Sequence, residues 1–266
     1  MRMSDFAERL RWEAQSCPER ERCPMAFLCG SRLKGGKYAL PTFVDVGYGE
    51  MVWTDLTLRP RLLVVRSGLL LSKVYANHGE EVPYAVYGKG FLAGLTEIYG
   101  PFTASNFYFL SGLTPARLCS FDSNLVETQV SSLSGRRGQE LAARALLNQT
   151  TANYGQMLTL AHRCARDRVA SVLLRLDGLM KREEGYDGTI PVTHGDIASI
   201  AALDRSTVTR ELKALAEAEL VAPGYRSIEV RDALPRAFGE LIEASLPFYD
   251  TPSSAFDSTL NSSLSD

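Results

Sequence analysis

The chain has 266 residues, room for two domains and a connecting helix. Its 29 basic residues against 31 acidic ones give a formal net charge of −2, so any attraction for a polyanion such as DNA must be local. No apolar run reaches membrane-spanning length, since Leu62–Val65 and Leu69–Leu71 are split by Arg66-Ser67-Gly68, and Met1-Arg2-Met3-Ser4-Asp5 opens no signal-peptide core; the expected location is the cytoplasm, with no membrane contact and reduced cysteines.

Three of the 5 cysteines fall early, in Cys17-Pro-Glu-Arg-Glu-Arg-Cys23-Pro-Met-Ala-Phe-Leu-Cys29; the others are Cys119 and Cys164. Four thiolates are the ligand set of an iron–sulfur cluster, and soft sulfur suits zinc almost as well. Spacing alone selects neither. Two successive gaps of 5 residues match no zinc-ribbon pattern, where Cys-x2-Cys pairs dominate, and no ferredoxin run. The first three thiols also fit an unliganded arm, and Cys119 and Cys164 fit small buried hydrophobes.

Leu69–Tyr75 reads as a strand, followed by an Asn77-His78-Gly79-Glu80 turn. From about Gly138 to Leu176 there is no proline, and only Gly155 interrupts helix-forming composition, so this region reads as one long helix. Ala143, Leu146, Thr150, Asn153, Met157 and Leu160 follow alternating steps of three and four, a heptad seam for a dimer. A helix packed on its own domain is the other reading, but one side of so long a helix is hard to bury against a small β domain. Thr150 and Asn153 at seam positions weaken the contact and help fix its register. On that reading Asn153→Leu strengthens the dimer and reduces signal dependence.

The stretch Thr193–Arg210 reads as two short helices joined by a tight turn. Thr193 caps the first, with Asp196 as capping-box partner. Ile197, Ile200 and Ala201 face inward, Ala202 and Leu203 make the turn, and Asp204 is placed to cap the second helix. There Val208, Leu212 and Leu215 point one way, and Arg205, Ser206, Thr209, Arg210 and Lys213 the other. Such an outer face suits base edges and phosphates, though a solvated amphipathic helix would look similar. Leu220–Ala222, a Pro223-Gly224 turn and Tyr225–Arg231 then read as a β-hairpin, which turns the helix pair into a winged helix with Arg226 on the wing. The Ser-rich end, Thr251–Asp266, has little to bury and is expected to be disordered.

Two stretches together resemble the CRP/FNR superfamily of bacterial transcription regulators. Asp196–Arg210 is similar to that family's helix-turn-helix. Arg66-Ser67-Gly68, the strand-like Leu69–Tyr75, the 77–80 turn and Tyr87-Gly88-Lys89-Gly90-Phe91 are similar to its sensor domain. The resemblance implies an α+β chain: an N-terminal β-roll (a cyclic-nucleotide-binding-like double-stranded β-helix), a long dimerisation helix and a C-terminal winged helix-turn-helix. The expected divisions are a cysteine-bearing arm at 1–35, the roll at 36–134, the dimerisation helix at 135–178, the DNA-binding domain at 179–240 and a tail at 241–266.

What the resemblance implies for function is a homodimer that reports a signal to a pseudo-palindromic operator in double-stranded DNA, with RNA polymerase as a further partner. Arg205, Ser206, Thr207, Thr209, Arg210, Lys213 and Arg226 are the candidate DNA contacts. Ser206, Thr209 and Arg210 fall on base-reading positions, and many relatives carry glutamate where Ser206 stands. The FNR branch is similar in pairing an N-terminal cysteine group with one distant cysteine around a [4Fe–4S] cluster that senses oxygen. Cys23-x5-Cys29 matches the second gap of that group and Cys119 the distant position, which implies Cys17, Cys23, Cys29 and Cys119 as ligands. The gap after Cys17 departs from the branch, which has two residues there. Zinc, a thiol redox switch or another small effector is the alternative. Cyclic nucleotide is not expected, because Gly94–Ala104 offers no arginine to the phosphate. Haem is not expected either, with His78 in an exposed turn and His162 and His194 read as surface or capping residues. No Ser/His/Asp, paired-carboxylate or phosphate-loop arrangement marks an enzyme.

Overall fold

A computed structural model describes residues 17, 23–26, 28–31, 38–52, 61–76, 79–94, 108–122 and 136–241. The turn residue His78, most of the loop 94–104, and the tail after Leu241 lie outside the described residues.

Two four-stranded antiparallel sheets form the first half. One runs β1 (Thr42–Val46), β8 (Ala116–Asp122), β3 (Arg61–Ser67), β6 (Leu92–Ala93); the other β2 (Met51–Val52), β7 (Tyr108–Gly112), β4 (Leu70–Tyr75), β5 (Glu81–Tyr87). The unbroken apolar runs in β3 and β4 have a simple cause: both faces of each strand are covered. Leu63, Val65, Leu70, Leu110 and Leu118 fill the space within the roll. On the outer side of β3, Leu62 and Val64 pack with Phe121, Leu92, Met25 and Leu28. On the outer side of β4, Leu69 and Leu71 join an apolar cluster that continues into the C-terminal half. Between β3 and β4 the chain turns at Gly68, with φ +79°; a Cβ there would stand 2.2 Å from the Pro115 carbonyl oxygen, so no other residue fits.

The single helix expected over 135–178 is instead two, α1 (Arg136–Ala161) and α2 (Ala165–Met180). The break carries no proline or glycine. Tertiary contacts make it: α2 folds back on the end of α1, where the Thr159 and Ser171 hydroxyls meet at 2.9 Å. The Arg175 guanidinium donates to Gln156 Oε1 at 3.1 Å and Thr159 Oγ1 at 2.9 Å. Gly155, a weak point for an isolated helix, makes room for it, since a Cβ there would lie 3.0 Å from Arg175 Nε. Cys164, expected as a buried hydrophobe within one helix, is exposed and caps α2, its sulfur accepting from the Asp167 N–H at 3.4 Å. His162 likewise sits in the break, its carbonyl accepting from Arg168 Nε at 2.9 Å.

The C-terminal unit has α3 (His194–Ala201), α4 (Arg205–Glu217) and α5 (Ala233–Phe238) around a three-stranded sheet in the order β10 (Val221–Gly224), β11 (Ser227–Val230), β9 (Thr189–Ile190). No pattern in the sequence marks β9. The hairpin turn also falls later than expected, at Tyr225-Arg226, because Gly224 pairs with Ser227 and Pro223 with Ile228. Pro223 is tolerated in a strand because β10 is at the sheet edge, and Arg226 supplies the left-handed turn residue, φ 52°.

Candidate nucleic-acid interface and cysteine group

The recognition unit is assembled by local rules. Asp196 accepts from the Thr193 N–H at 2.7 Å while Thr193 Oγ1 accepts from the Asp196 N–H at 3.2 Å, a complete capping box that starts α3. The helix stops at Ala202, in the left-handed region at φ 50°. Asp204 takes the N-cap position of α4, but its side chain makes no capping hydrogen bond, contrary to expectation. Val208, Leu212 and Leu215 are buried under α4.

Of the expected DNA contacts, Arg205, Ser206, Thr209, Arg210, Lys213 and Arg226 are exposed and Thr207 is half-buried. The first five share the outer side of α4 by helical spacing. Arg210 donates from Nε and Nη2 to Glu211 Oε1 at 3.2 and 3.1 Å, and Arg166 approaches the same carboxylate at 3.7 Å. Because Arg210 is well exposed, such a pair is weak and yields to a stronger acceptor. Lys213 lies 3.9 Å from Glu217. Tyr225, at the wing tip, is 93% exposed.

Tyr48, before β2, was not singled out in the sequence. Its hydroxyl donates to Asp196 at 2.9 Å, and the Arg226 guanidinium lies 4.5 Å above its ring. Burial and the neighbouring Asp196 raise the phenol's pKa, holding it as a donor. One side chain of the roll thus touches both the start of α3 and the wing. Two other ties cross the same boundary, Gly68 N–H to Glu183 at 3.0 Å and Lys89 to the Arg182 carbonyl at 3.0 Å, while Gln156 of α1 donates to the Ile200 carbonyl of α3 at 2.8 Å.

Along α1, the seam residues Ala143, Leu146, Thr150, Met157 and Leu160 are exposed, Leu146 at 60% and Met157 at 67%. Asn153 departs from the seam. It is half-buried, and its amide donates to the Tyr84 hydroxyl of the same chain at 2.8 Å, so a register role across a dimer does not follow. Tyr154, one residue on, is exposed in its place, as is Leu147. The opposite side of α1, Thr151, Ala152, Gln156 and Thr159, is buried.

Cys23, Cys29 and Cys119 border the small cluster around Met25, Leu28 and Phe121. Burial pushes the Cys23 thiol up to about 12, with Cys119, Cys29 and Cys17 each close enough for their charges to add to the effect. Cys119 is also raised by burial, opposed by Arg66 and Arg117. Those two guanidiniums lie 5.1 and 5.0 Å from the ring of Phe43, the β1 residue paired with Cys119. Among the described residues no three His, Cys, Asp or Glu side chains stand at metal-ligating separation. The four thiols are neighbours without being a preformed cage.

Comparison with known proteins agrees with this geometry. Residues 167–234 match the Crp-like helix-turn-helix domain, which begins inside α2 and so assigns most of that helix to the recognition unit. The chain is 28% identical over 173 residues, 63% of its own length and 75% of the other, to the global nitrogen regulator of Synechococcus elongatus. It is 39% identical over 69 residues to the cyclic AMP receptor protein of Thermus thermophilus, covering 26% of this chain and 30% of that one. Its fold is that of FixK2 from Bradyrhizobium japonicum (TM-score 0.59, 19% identity, 76% of this chain and 97% of that one). It is also that of a CRP-family transcriptional regulator from Thermus thermophilus (TM-score 0.58, 21% identity, 74% and 96%). The first and the last of these are named as regulators. Residues 167–234 thus carry a Crp-like helix-turn-helix whose outer side is basic and exposed, within a fold like that of CRP-family proteins.

Proposed function

We propose that this chain is a CRP/FNR-type DNA-binding transcription regulator that senses oxygen or redox state through a [4Fe–4S] cluster held by Cys17, Cys23, Cys29 and Cys119, and that the sensor controls dimerisation along α1 and operator binding by α4. The observation that carries the reading is the convergence of Cys119, far downstream, with the three early thiols: Cys23, Cys29 and Cys119 pack on one apolar cluster, and Cys17, Cys29 and Cys119 all act on Cys23. The donor set fits the group: four soft sulfurs, an apolar bed under three of them, and two arginines to offset anionic charge. When bound, a cluster supplies an oxygen-labile centre in place of four thiol protons.

The chain's own residues do the rest. Four tied sulfurs would pin the segment bearing Cys17, Cys23 and Cys29 to β8, the last strand before α1 among the described residues. The exposed apolar stripe of Ala143, Leu146, Leu147, Tyr154, Met157 and Leu160 is the surface a second copy would cover. Pairing there would set two α4 helices one DNA turn apart on a pseudo-palindrome. Coupling needs only a few kcal/mol of differential stability between paired and unpaired states. RNA polymerase is the partner such a bound dimer would address.

Anaerobic purification with iron, sulfide and zinc analysis, and operator affinity before and after exposure to air, tests this. Iron and sulfide in near-equal amounts, lost together with operator affinity in air and absent from Cys119→Ser, is the expected result. Colourless, iron-free anaerobic protein overturns it, and stoichiometric zinc in that protein transfers the same four thiols to the zinc reading.

A further inference from the structure

The imidazole of His194, the first residue of α3, stands with Nδ1 3.0 Å from Thr209 Oγ1 on α4. The Thr209 hydroxyl also lies 2.9 Å from the Arg205 carbonyl, to which it donates. A hydroxyl has one hydrogen. With that hydrogen on Arg205, the contact to His194 runs the other way, Nδ1–H donating into Oγ1. Partial burial and the positive charge of Arg205 hold the ring toward its neutral form, consistent with a proton resting on Nδ1 alone.

We infer that His194 is a specificity-determining residue: by donating to Thr209 it fixes which groups that side chain shows a base. The inference rests on α4 reading DNA. Thr209 then has no hydrogen to give, and what remains is one lone pair and the methyl group. It can meet a base amino group or an apolar edge, and it cannot serve a base acceptor. Freed from His194, the hydroxyl can rotate and donate elsewhere, so the same threonine would discriminate less. His194 itself need touch no base.

The test is selection of randomised operator DNA by the full-length protein. Thr209→Ala and Arg210→Ala first identify the base position each side chain reads. His194→Phe keeps a ring without a donor, while His194→Asn puts an amide N–H where Nδ1 stood. Expected is a loss of roughly three- to ten-fold in discrimination at the Thr209 position alone for His194→Phe, the worth of one neutral hydrogen bond. The Arg210 position stays intact, and His194→Asn restores the wild-type profile. A His194→Phe profile equal to wild type, a uniform weakening at every position, or failure of asparagine to rescue overturns the inference. If wild type itself selects no sequence, the conclusion that α4 reads DNA fails first, an outcome visible before any His194 variant is compared.

Discussion

At the scale of single residues, the recognition surface separates into side chains that read and side chains that hold. Arg210 is released from Glu211 cheaply and suits bidentate contact with guanine. Arg210→Ala is therefore expected to remove about 1–3 kcal/mol of discrimination at one base pair, measured by competition with variant operators. Arg226→Ala should instead weaken all DNA comparably and lower the salt slope of binding by about one. Arg175 acts elsewhere. Buried between α1 and α2, it satisfies Gln156 and Thr159, and Arg175→Ala is expected to cost about 3 kcal/mol in urea unfolding, because hydrogen bonds to a charged donor are lost from the interior. Asn153→Leu no longer tests a dimer register; it removes the bond to Tyr84 within the chain.

At the scale of elements, α1 presents an apolar stripe to solvent while its other side is buried. Met157→Glu should leave thermal stability nearly unchanged, since the site is exposed, yet lower both self-association in ultracentrifugation and operator affinity by tenfold or more. Unaltered self-association would remove α1 from the dimer. Elements written in short windows were legible in the sequence: the Thr193/Asp196 box, the Val208–Leu212–Leu215 stripe and the hairpin after them depend on residues a few positions apart. The break at 162–164 was not, because good helix formers run through it and only the fold-back of α2 interrupts them. The wing turn was misplaced because Pro223-Gly224 is a strong turn signal, overridden by the pairing of Gly224 with Ser227. Among the cysteines, spacing was silent and the meeting of Cys119 with the first three depends on the whole roll being folded.

At the scale of the molecule, roll and recognition unit are joined by Tyr48 to Asp196, 148 positions away in sequence, and to Arg226, farther still, contacts that no local pattern encodes. Tyr48→Ala should speed amide hydrogen exchange at the start of α3 and in the wing while leaving the roll strands protected. Equal exchange in both proteins would show that the other ties suffice.

Those ties lie over a shared apolar bed: Leu69, Leu71, Val86 and Leu113 of the roll belong to the same cluster as Val169, Leu173, Ile197 and Leu212. The roll has an interior of its own, but the C-terminal half completes its core only against the roll's outer side. Heating should accordingly produce one calorimetric endotherm rather than two. A fragment beginning at Ala165 would carry an oily face into water and clump at concentrations where the intact chain stays dispersed.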